Sequence, residues 1–356
     1  MKTDQRPTAI VLTNGLLTRA DAKTTHGLVR GPSRYRIVSV IDRTLAGREA
    51  GEVLDGTPRG IPIHGAVKEA LALKPEYAII GVATKGGILP ESLVDDLLAA
   101  ADAGLTLING LHQSLAGNPR VADRVSAAGG TIIDLRQPPP LDQLRFWSGD
   151  VLKLDTPRVP VLGTDCALGK RTTCGLVLAS LTRQGVAASM VYTGQTGWLQ
   201  GCRHGFIFDA TPNDFVPGQL EGAVLDCARE ENPQLILVEG QASLRNPSGP
   251  CGSEMIISLG AAGVILMHAP GRAHFKGFAD RHLAIPPLKE EVQLIRALGS
   301  DVWAIGLHEE GLDEAAAVRW CRATTEALAI PCSRPLRDGG EELARIVQSN
   351  TGVHPR

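Results

Sequence analysis

The sequence has few of the features that hold small secreted or zinc-binding proteins together. None of its seven cysteines lies before Cys166, their number is odd, and no two of them form a C-x-x-C pair. This distribution argues against both a disulfide framework and a zinc knuckle. It predicts that most of the thiols are buried as small apolar side chains.

Long apolar runs and a large excess of one charge are also missing. No apolar stretch approaches the length that crosses a bilayer, and residues 1–7 precede only a short apolar strand. We therefore expect a soluble, cytoplasmic protein. With 36 basic and 38 acidic residues the net charge is -2, which argues against nucleic acid or an anionic membrane as a partner. Any anion-binding site must be local.

A dinucleotide-binding fingerprint is absent as well. The first turn, residues 13–27, contains no G-x-G-x-x-G, although Asp42 ends the second predicted strand, where a ribose-binding acid would lie. Asp42 can be interpreted as a ribose ligand or as a turn residue, and the sequence leaves both interpretations open.

What the chain does contain is a regular alternation of short apolar strands and helical segments. This alternation is typical of parallel sheets with crossover helices. In the first half we predict strands at 9–12, 37–41, 78–82, 105–109 and 131–134, and helices at 65–73, 90–104 and 119–128. In the second half we predict strands at 159–162, 188–192, 235–238, 263–267 and 302–306, and helices at 170–184, 219–231, 287–298 and 313–327.

Consecutive prolines divide these two halves. The segment Gln137-Pro-Pro-Pro-Leu141 can continue neither a helix nor a central strand, and 356 residues exceed one ordinary core. We predict an α/β protein with two mostly parallel-sheet domains, a Rossmann-like domain over 1–145 and a P-loop domain over 146–356. Closed symmetric oligomers are common among enzymes of this size, which favours a homo-oligomer.

The most informative motif follows the strand at 159–162. The string Gly163-Thr-Asp-Cys-Ala-Leu-Gly-Lys-Arg-Thr-Thr173 joins a strand to a helix through two glycines and a lysine. Such a turn directs backbone N–H groups and a helix N-terminus toward an anion. We call residues 163–173 the P-loop. The candidate phosphate-binding residues in it are Gly163, Thr164, Asp165, Gly169, Lys170, Arg171, Thr172 and Thr173.

The P-loop departs from the usual pattern in two ways. Five residues rather than four separate its glycines, and Arg171 takes the place of the hydroxyl residue that normally follows the lysine. Because that hydroxyl holds magnesium, nucleotide hydrolysis is less certain than phosphate binding. No metal-ligand pattern is evident elsewhere.

Further candidates lie where predicted strands end. Glu239 ends a buried strand and is a natural partner of Lys170. In the Gly-rich segment after the strand at 188–192, Gln195 is a candidate for orienting a substrate, although a plain glycine turn is an equally good interpretation. Asp214 precedes a helix, and it is interpreted either as a base or as a helix cap.

A cationic segment follows the strand at 263–267. It contains His268, which is a candidate for proton transfer, and Arg272 and Lys276, which are candidates for binding substrate carboxylates. The alternative is a solvated basic loop.

The P-loop spacing and the later Val238-Glu-Gly string resemble dethiobiotin synthetase. Together with Thr193-Gly-Gln-Thr-Gly and Asp214-Phe-Val-Pro-Gly, they resemble the D-glutamate N-acetyltransferase family over nearly the whole chain. That resemblance implies a Rossmann-like half, a P-loop half and transfer of an acetyl group from acetyl-CoA to the amino group of D-glutamate.

Under this interpretation the P-loop binds the phosphates of acetyl-CoA, and Glu239, Asp214 or His268 is the base. Two alternatives remain open: an ATP- and magnesium-dependent ligase or kinase-like enzyme resembling dethiobiotin synthetase, and a nucleotide-dependent sensor without turnover.

Overall fold

The computed structural model describes residues 4–355, which form two compact units. The first contains the described residues up to Pro139 together with Gln195–Gly201. The second contains Pro140–Gly194 and the described residues from Cys202 onward.

The first unit is built on one parallel sheet. Its strands are β1 (Thr8–Leu12), β2 (Arg36–Ile41), β3 (Ile63–His64), β4 (Tyr77–Ile80), β5 (Thr106–Asn109) and β6 (Ile132–Asp134). Its helices are α1 (Lys23–Arg30), α2 (Ala50–Asp55), α3 (Val67–Ala70), α4 (Glu91–Asp102) and α5 (Pro119–Ala127). The strand order is β3-β2-β1-β4-β5-β6, which is the order of Rossmann folds. Every residue of β1 is buried, as expected of a central strand covered on both faces.

Asp42 lies just beyond β2 and is fully buried. Its Oδ2 accepts hydrogen bonds from the Thr13 hydroxyl at 2.8 Å and the Leu17 amide at 3.1 Å, and its Oδ1 accepts from the Thr44 hydroxyl at 2.7 Å. Because nearby turns already engage both carboxylate oxygens, the structure favours the turn interpretation of this residue over a ribose ligand.

The second unit is built on another parallel sheet. Its strands are β7 (Arg158–Gly163), β8 (Ala188–Tyr192), β9 (His204–Gly205), β10 (Leu235–Glu239), β11 (Val264–His268), β12 (Val302–Leu307) and β13 (Cys332–Ser333), in the order β13-β12-β11-β7-β10-β8-β9. Its helices are α6 (Lys170–Arg183), α8 (Val216–Glu231), α9 (Ser253–Ile257), α10 (Leu288–Ala297), α11 (Glu314–Leu328), α12 (Pro335–Asp338) and α13 (Glu341–Thr351). Helix α7 (Gln195–Leu199) belongs to the first unit.

The predicted fold class is confirmed, and the differences are local. The predicted helix at 65–73 is shortened to α3 and followed by a 3₁₀ turn at Leu71–Leu73. The glycine-turn interpretation of residues 193–198 is wrong for their second part, where α7 forms. Strands β3, β9 and β13 have two residues each, too few for a period-two pattern to be visible in sequence.

The seven cysteines are free in this structure. Only Cys174, Cys227 and Cys251 are buried, so the expectation that most of them are buried is wrong. Within residues 4–355 no helix combines the length and the apolar character needed to cross a membrane.

Candidate functional site

The P-loop connects β7 to α6 at the carboxyl edge of the second sheet. Strand β7 is paired with β10 on one side and β11 on the other, so the residues that follow these three strands meet at one edge. Within the loop Gly169 has φ +85°, and an added Cβ would lie 2.8 Å from Leu336 Cδ1. A side chain at this position would therefore meet both backbone strain and a steric clash.

Asp165 organises the loop from within. Its carboxylate is fully buried. Oδ2 accepts hydrogen bonds from Arg272 Nη1 and from the Lys276 amide, both at 2.8 Å. Oδ1 accepts from Asn246 Nδ2 at 3.1 Å. This one carboxylate thus ties the P-loop to the segments that follow β10 and β11.

The guanidinium of Arg272 is engaged by protein groups. Besides Asp165, its Nη1 donates to the Cys166 carbonyl at 2.7 Å, and its Nε donates to Glu310 Oε2 at 3.1 Å. The side chain is only 11% exposed. The Lys276 side chain, in contrast, is exposed. Contact of either residue with a substrate carboxylate stays a prediction, and Arg272 would have to make it beside its ion pairs with Asp165 and Glu310.

Lys170, the first residue of α6, is buried. Its Nζ donates to the carbonyls of Asp165 and Ala242, both at 2.7 Å. Because Ala242 comes three residues after Glu239, the lysine links the P-loop to the end of β10. These two hydrogen bonds hold the ammonium group in place.

Glu239 ends β10 and is 6% exposed. Its Oε2 accepts a hydrogen bond from the Thr193 amide at 3.1 Å, and its backbone carbonyl accepts from the Thr193 hydroxyl at 2.7 Å. Strands β8 and β10 are paired, which brings Thr193 and Glu239 together. The side-chain Nε2 of Gln241 donates to the Thr193 hydroxyl at 2.9 Å and completes the cluster.

Burial raises the pKa of the Glu239 carboxyl above its usual range. The nearby charge of Arg171, the backbone N–H groups of Thr193 and Gly194, and the charge of Lys170 act in the opposite direction. A buried carboxylate with a raised pKa has the properties of a general base, and its place among cations is typical of a functional site.

A tight backbone contact fixes the turn after Glu239. The Gly240 amide donates to the Val161 carbonyl at 3.1 Å, and a Cβ on Gly240 would lie 2.2 Å from that oxygen. Only glycine fits here without moving β7 or β10, and this explains the glycine in the Val-Glu-Gly string.

The three residues after Lys170 face different surroundings. Thr172 is exposed. Thr173 is buried, and its hydroxyl donates to Met267 Sδ at 3.4 Å. Arg171 is half-buried, and its Nε is a buried atom with no hydrogen-bond partner among the described residues.

His268 ends β11 and is 9% exposed. Its Nδ1 lies 2.9 Å from the Thr164 hydroxyl, and its ring stacks on Trp320 with the centroids 5.5 Å apart. Burial lowers the pKa of His268 to about 4. The imidazole is therefore neutral near pH 7, and its candidate role as a base stays a prediction.

The two remaining candidates are Asp214 and Gln195. Asp214 is exposed in the 3₁₀ turn Asn213–Phe215 before α8. Gln195 belongs to the first unit, where it is buried at the start of α7 and its Oε1 accepts from Arg136 Nη2 at 3.3 Å. Their predicted roles remain predictions.

Sequence reasoning missed two residues of the P-loop's support. Asn246 holds Asp165, and Glu310 holds Arg272. Neither residue lies in a recognisable motif. Both are far from the P-loop along the chain, so no local sequence pattern connects them with it. Gln241 was visible only as part of the Val-Glu-Gly-Gln string.

A group of possible metal ligands lies elsewhere in the second unit. Donor atoms of His204, Cys227 and Glu231 all lie within 4.8 Å of one another. His204 Nε2 is 3.0 Å from a Glu231 carboxylate oxygen, and Ser189 donates to the other carboxylate oxygen. Glu231 is exposed, and these hydrogen bonds account for its contacts with His204 and Ser189 as a partly buried polar network.

Both halves of the chain match family models. Residues 145–344 match the model described as "Domain of unknown function (DUF1611_C) P-loop domain", and residues 43–138 match the model described as "Domain of unknown function (DUF1611_N) Rossmann-like domain".

Two individual relatives align with most of the chain. The chain is 29% identical over 284 residues to a D-glutamate N-acetyltransferase of Tritonibacter scottomollicae, covering 78% of this chain and 82% of the relative. It is 24% identical over 286 residues to another from a Pseudoalteromonas species, with 78% and 83% covered.

A solved structure extends the similarity to almost the whole chain. The crystal structure of a DUF1611 family protein from Anabaena variabilis ATCC 29413 is 32% identical, with a TM-score of 0.87, and the alignment covers 96% of this chain and 99% of that one. The chain therefore belongs to the DUF1611 family, with a Rossmann-like N-terminal part and a P-loop C-terminal part.

Proposed function

We propose that the protein is an N-acetyltransferase that moves an acetyl group from acetyl-CoA to the amino group of D-glutamate. The names of two relatives that align with 78% of the chain support this reaction. The observation that carries the proposal is a buried P-loop lysine, Lys170, that donates to the Ala242 carbonyl three residues beyond Glu239, a buried glutamate of raised pKa.

The P-loop would bind the phosphates of coenzyme A. Pyrophosphate presents the same oxygens whether it belongs to a nucleotide or to coenzyme A. The turn around Gly169 and the charges of Lys170 and Arg171 fit such an anion.

Glu239 is the proposed base. It would accept a proton from the ammonium group of D-glutamate, and the freed nitrogen would form a bond with the thioester carbonyl carbon. The carbon–sulfur bond would then break, and the nitrogen would lose its second proton to the departing thiolate, so that coenzyme A leaves as the free thiol and N-acetyl-D-glutamate forms.

Phosphate binding by the P-loop and proton transfer by Glu239 together restrict the conformation of bound acetyl-CoA. The pantetheine arm separates the thioester from the pyrophosphate, whereas Glu239 and Lys170 are near neighbours in the second unit. Both roles hold together only if the arm folds back toward the P-loop. If the P-loop instead held a carboxylate of the acceptor, Glu239 would lie next to the ammonium without this folding.

The direct test is thiol release from acetyl-CoA by the purified protein with D-glutamate, with L-glutamate and with no acceptor, beside ADP release from MgATP. We expect thiol release that depends on D-glutamate. ADP without thiol would indicate the ATP-dependent ligase, and ligand-driven conformational change with neither product would indicate the sensor.

Replacing Lys170 with alanine tests what the P-loop binds. We expect the affinity for acetyl-CoA to fall by about 2 kcal/mol, or roughly thirtyfold, because a charge-assisted contact with the phosphates is lost. Calorimetric binding and the KM of each substrate would measure the effect, with the exposed Lys153→Ala as control. A change confined to the KM of D-glutamate would assign the P-loop to the acceptor's carboxylate.

A further inference from the structure

We propose that Arg171 supplies the positive charge that Mg²⁺ supplies in nucleotide-hydrolysing P-loop proteins, so that this P-loop binds its anionic ligand without a divalent metal. The inference concerns the P-loop itself. It rests on the proposed function only for the choice of coenzyme A as a probe.

The residues present do not fit the metal that the fold family implies. A P-loop holds Mg²⁺ through the hydroxyl that directly follows its lysine and through an acid on a neighbouring strand. Glu239 retains the acid, but Arg171 has replaced the hydroxyl.

The neighbouring threonines do not restore the missing ligand. Thr172 is displaced by one residue and exposed, and the Thr173 hydroxyl is directed to the Met267 sulfur at 3.4 Å. Both therefore differ in direction from a hydroxyl at position 171, since successive residues of α6 are rotated by about 100° around the helix axis.

Arg171 has the chemistry to take over the role of the metal. Its guanidinium presents several N–H donors in one plane, which suits phosphate and carboxylate oxygens. Its Nε is buried and has no partner among the described residues, although most buried polar atoms are hydrogen-bonded. This donor has no acceptor among the described residues, and an anion bound in the P-loop would supply one.

The guanidinium also compensates the acid that would otherwise attract the metal. Its charge favours the ionised form of Glu239 against the effect of burial. A divalent cation at Glu239 would have to approach this positive charge, and the repulsion between charges at a partly buried site is only weakly screened.

Mn²⁺ binding followed by electron paramagnetic resonance tests the proposal, with and without coenzyme A. We expect no Mn²⁺ bound at Glu239 in the unsubstituted protein, and its affinity for coenzyme A by calorimetry should agree in EDTA and in Mg²⁺ to within about twofold. Arg171→Thr, which restores the hydroxyl, should bind Mn²⁺ and should need metal to bind coenzyme A tightly. In EDTA its affinity should be at least about tenfold weaker than that of the unsubstituted protein.

Three variants make the result specific. Arg183→Thr, the same substitution at the exposed end of α6, should behave like the unsubstituted protein, and Arg171→Lys should keep metal-independent binding in part. Glu239→Gln in the Arg171→Thr background should abolish the new Mn²⁺ signal, which separates this site from the cluster of His204, Cys227 and Glu231.

Mn²⁺ bound to the unsubstituted protein and removed by Glu239→Gln would overturn the proposal. So would an Arg171→Thr variant that gains no metal. Failure of the proposed function would appear in the thiol assay and in coenzyme A binding, and it would leave the Mn²⁺ results unaffected.

Discussion

Replacing Glu239 with glutamine is expected to lower turnover by about 10²–10⁴-fold, the usual contribution of a general base. Glutamine keeps the size of the side chain and can still accept from the Thr193 amide, but it cannot take a proton. Donor binding should be largely retained. Steady-state kinetics with both substrates would measure the change, with the exposed Glu326→Gln as the matched control.

The pH profile gives an independent check of this role. A base must be ionised, so kcat/KM should rise as the pH increases through the pKa of Glu239. Since burial raises that pKa, the rise should lie above the range of an ordinary glutamate. Wild-type rates in Glu239→Gln would exclude Glu239 as the base. So would a pH profile of kcat/KM in this variant whose rise at low pH is the same as in the unsubstituted protein.

The same variant should not destabilise the protein. A carboxyl whose folded-state pKa is raised stabilises the fold at low pH, and this contribution is lost as the pH rises through the folded pKa. Wherever the carboxyl is ionised, the burial of its charge is therefore a cost that glutamine removes. The free energy of unfolding of Glu239→Gln should equal or exceed that of the unsubstituted protein.

Replacing Asp165 with alanine, in contrast, should destabilise the protein. It leaves the nearly buried guanidinium of Arg272 without one of its two carboxylates and removes the acceptor of Asn246 and of the Lys276 amide. We expect a loss of stability of about 3–5 kcal/mol, the usual effect of breaking a buried ion pair. Chemical denaturation would measure it.

Glu310→Gln is the control for Asp165→Ala. Glu310 binds the other side of the same guanidinium but is 46% exposed, so its removal should cost less than about 1 kcal/mol. Equal losses in the two variants would show that the buried position of Asp165 has no special importance.

Much of the fold was predictable because parallel strands buried on both faces are continuous apolar runs. Strands β7 and β10 were visible in this way, and the glycines and lysine between β7 and α6 located the P-loop. Helix α7 was not predictable, because its five residues include Gly197 and are too few for a helical period.

The candidate site was predictable where a motif coincided with the end of a strand, as for Lys170 and Glu239. The partners of Arg272 were not. Its charge and position suggested a substrate carboxylate, whereas the structure pairs it with Asp165 and Glu310. Charge in a sequence shows that a partner is needed, but only the tertiary structure shows whether the protein itself provides it.

The assignment of α7 to the first unit limits how this protein can be divided. Trp198 and Leu199 pack in the same core cluster as Leu28 and Tyr35, and the Arg34 guanidinium lies 4.4 Å from the Trp198 ring centroid. A fragment that stops at the prolines before Leu141 would lack these two side chains and expose apolar surface. The N-terminal part is thus not a self-contained module. Gene fusion or recombination at the proline segment would transfer an incomplete Rossmann-like unit.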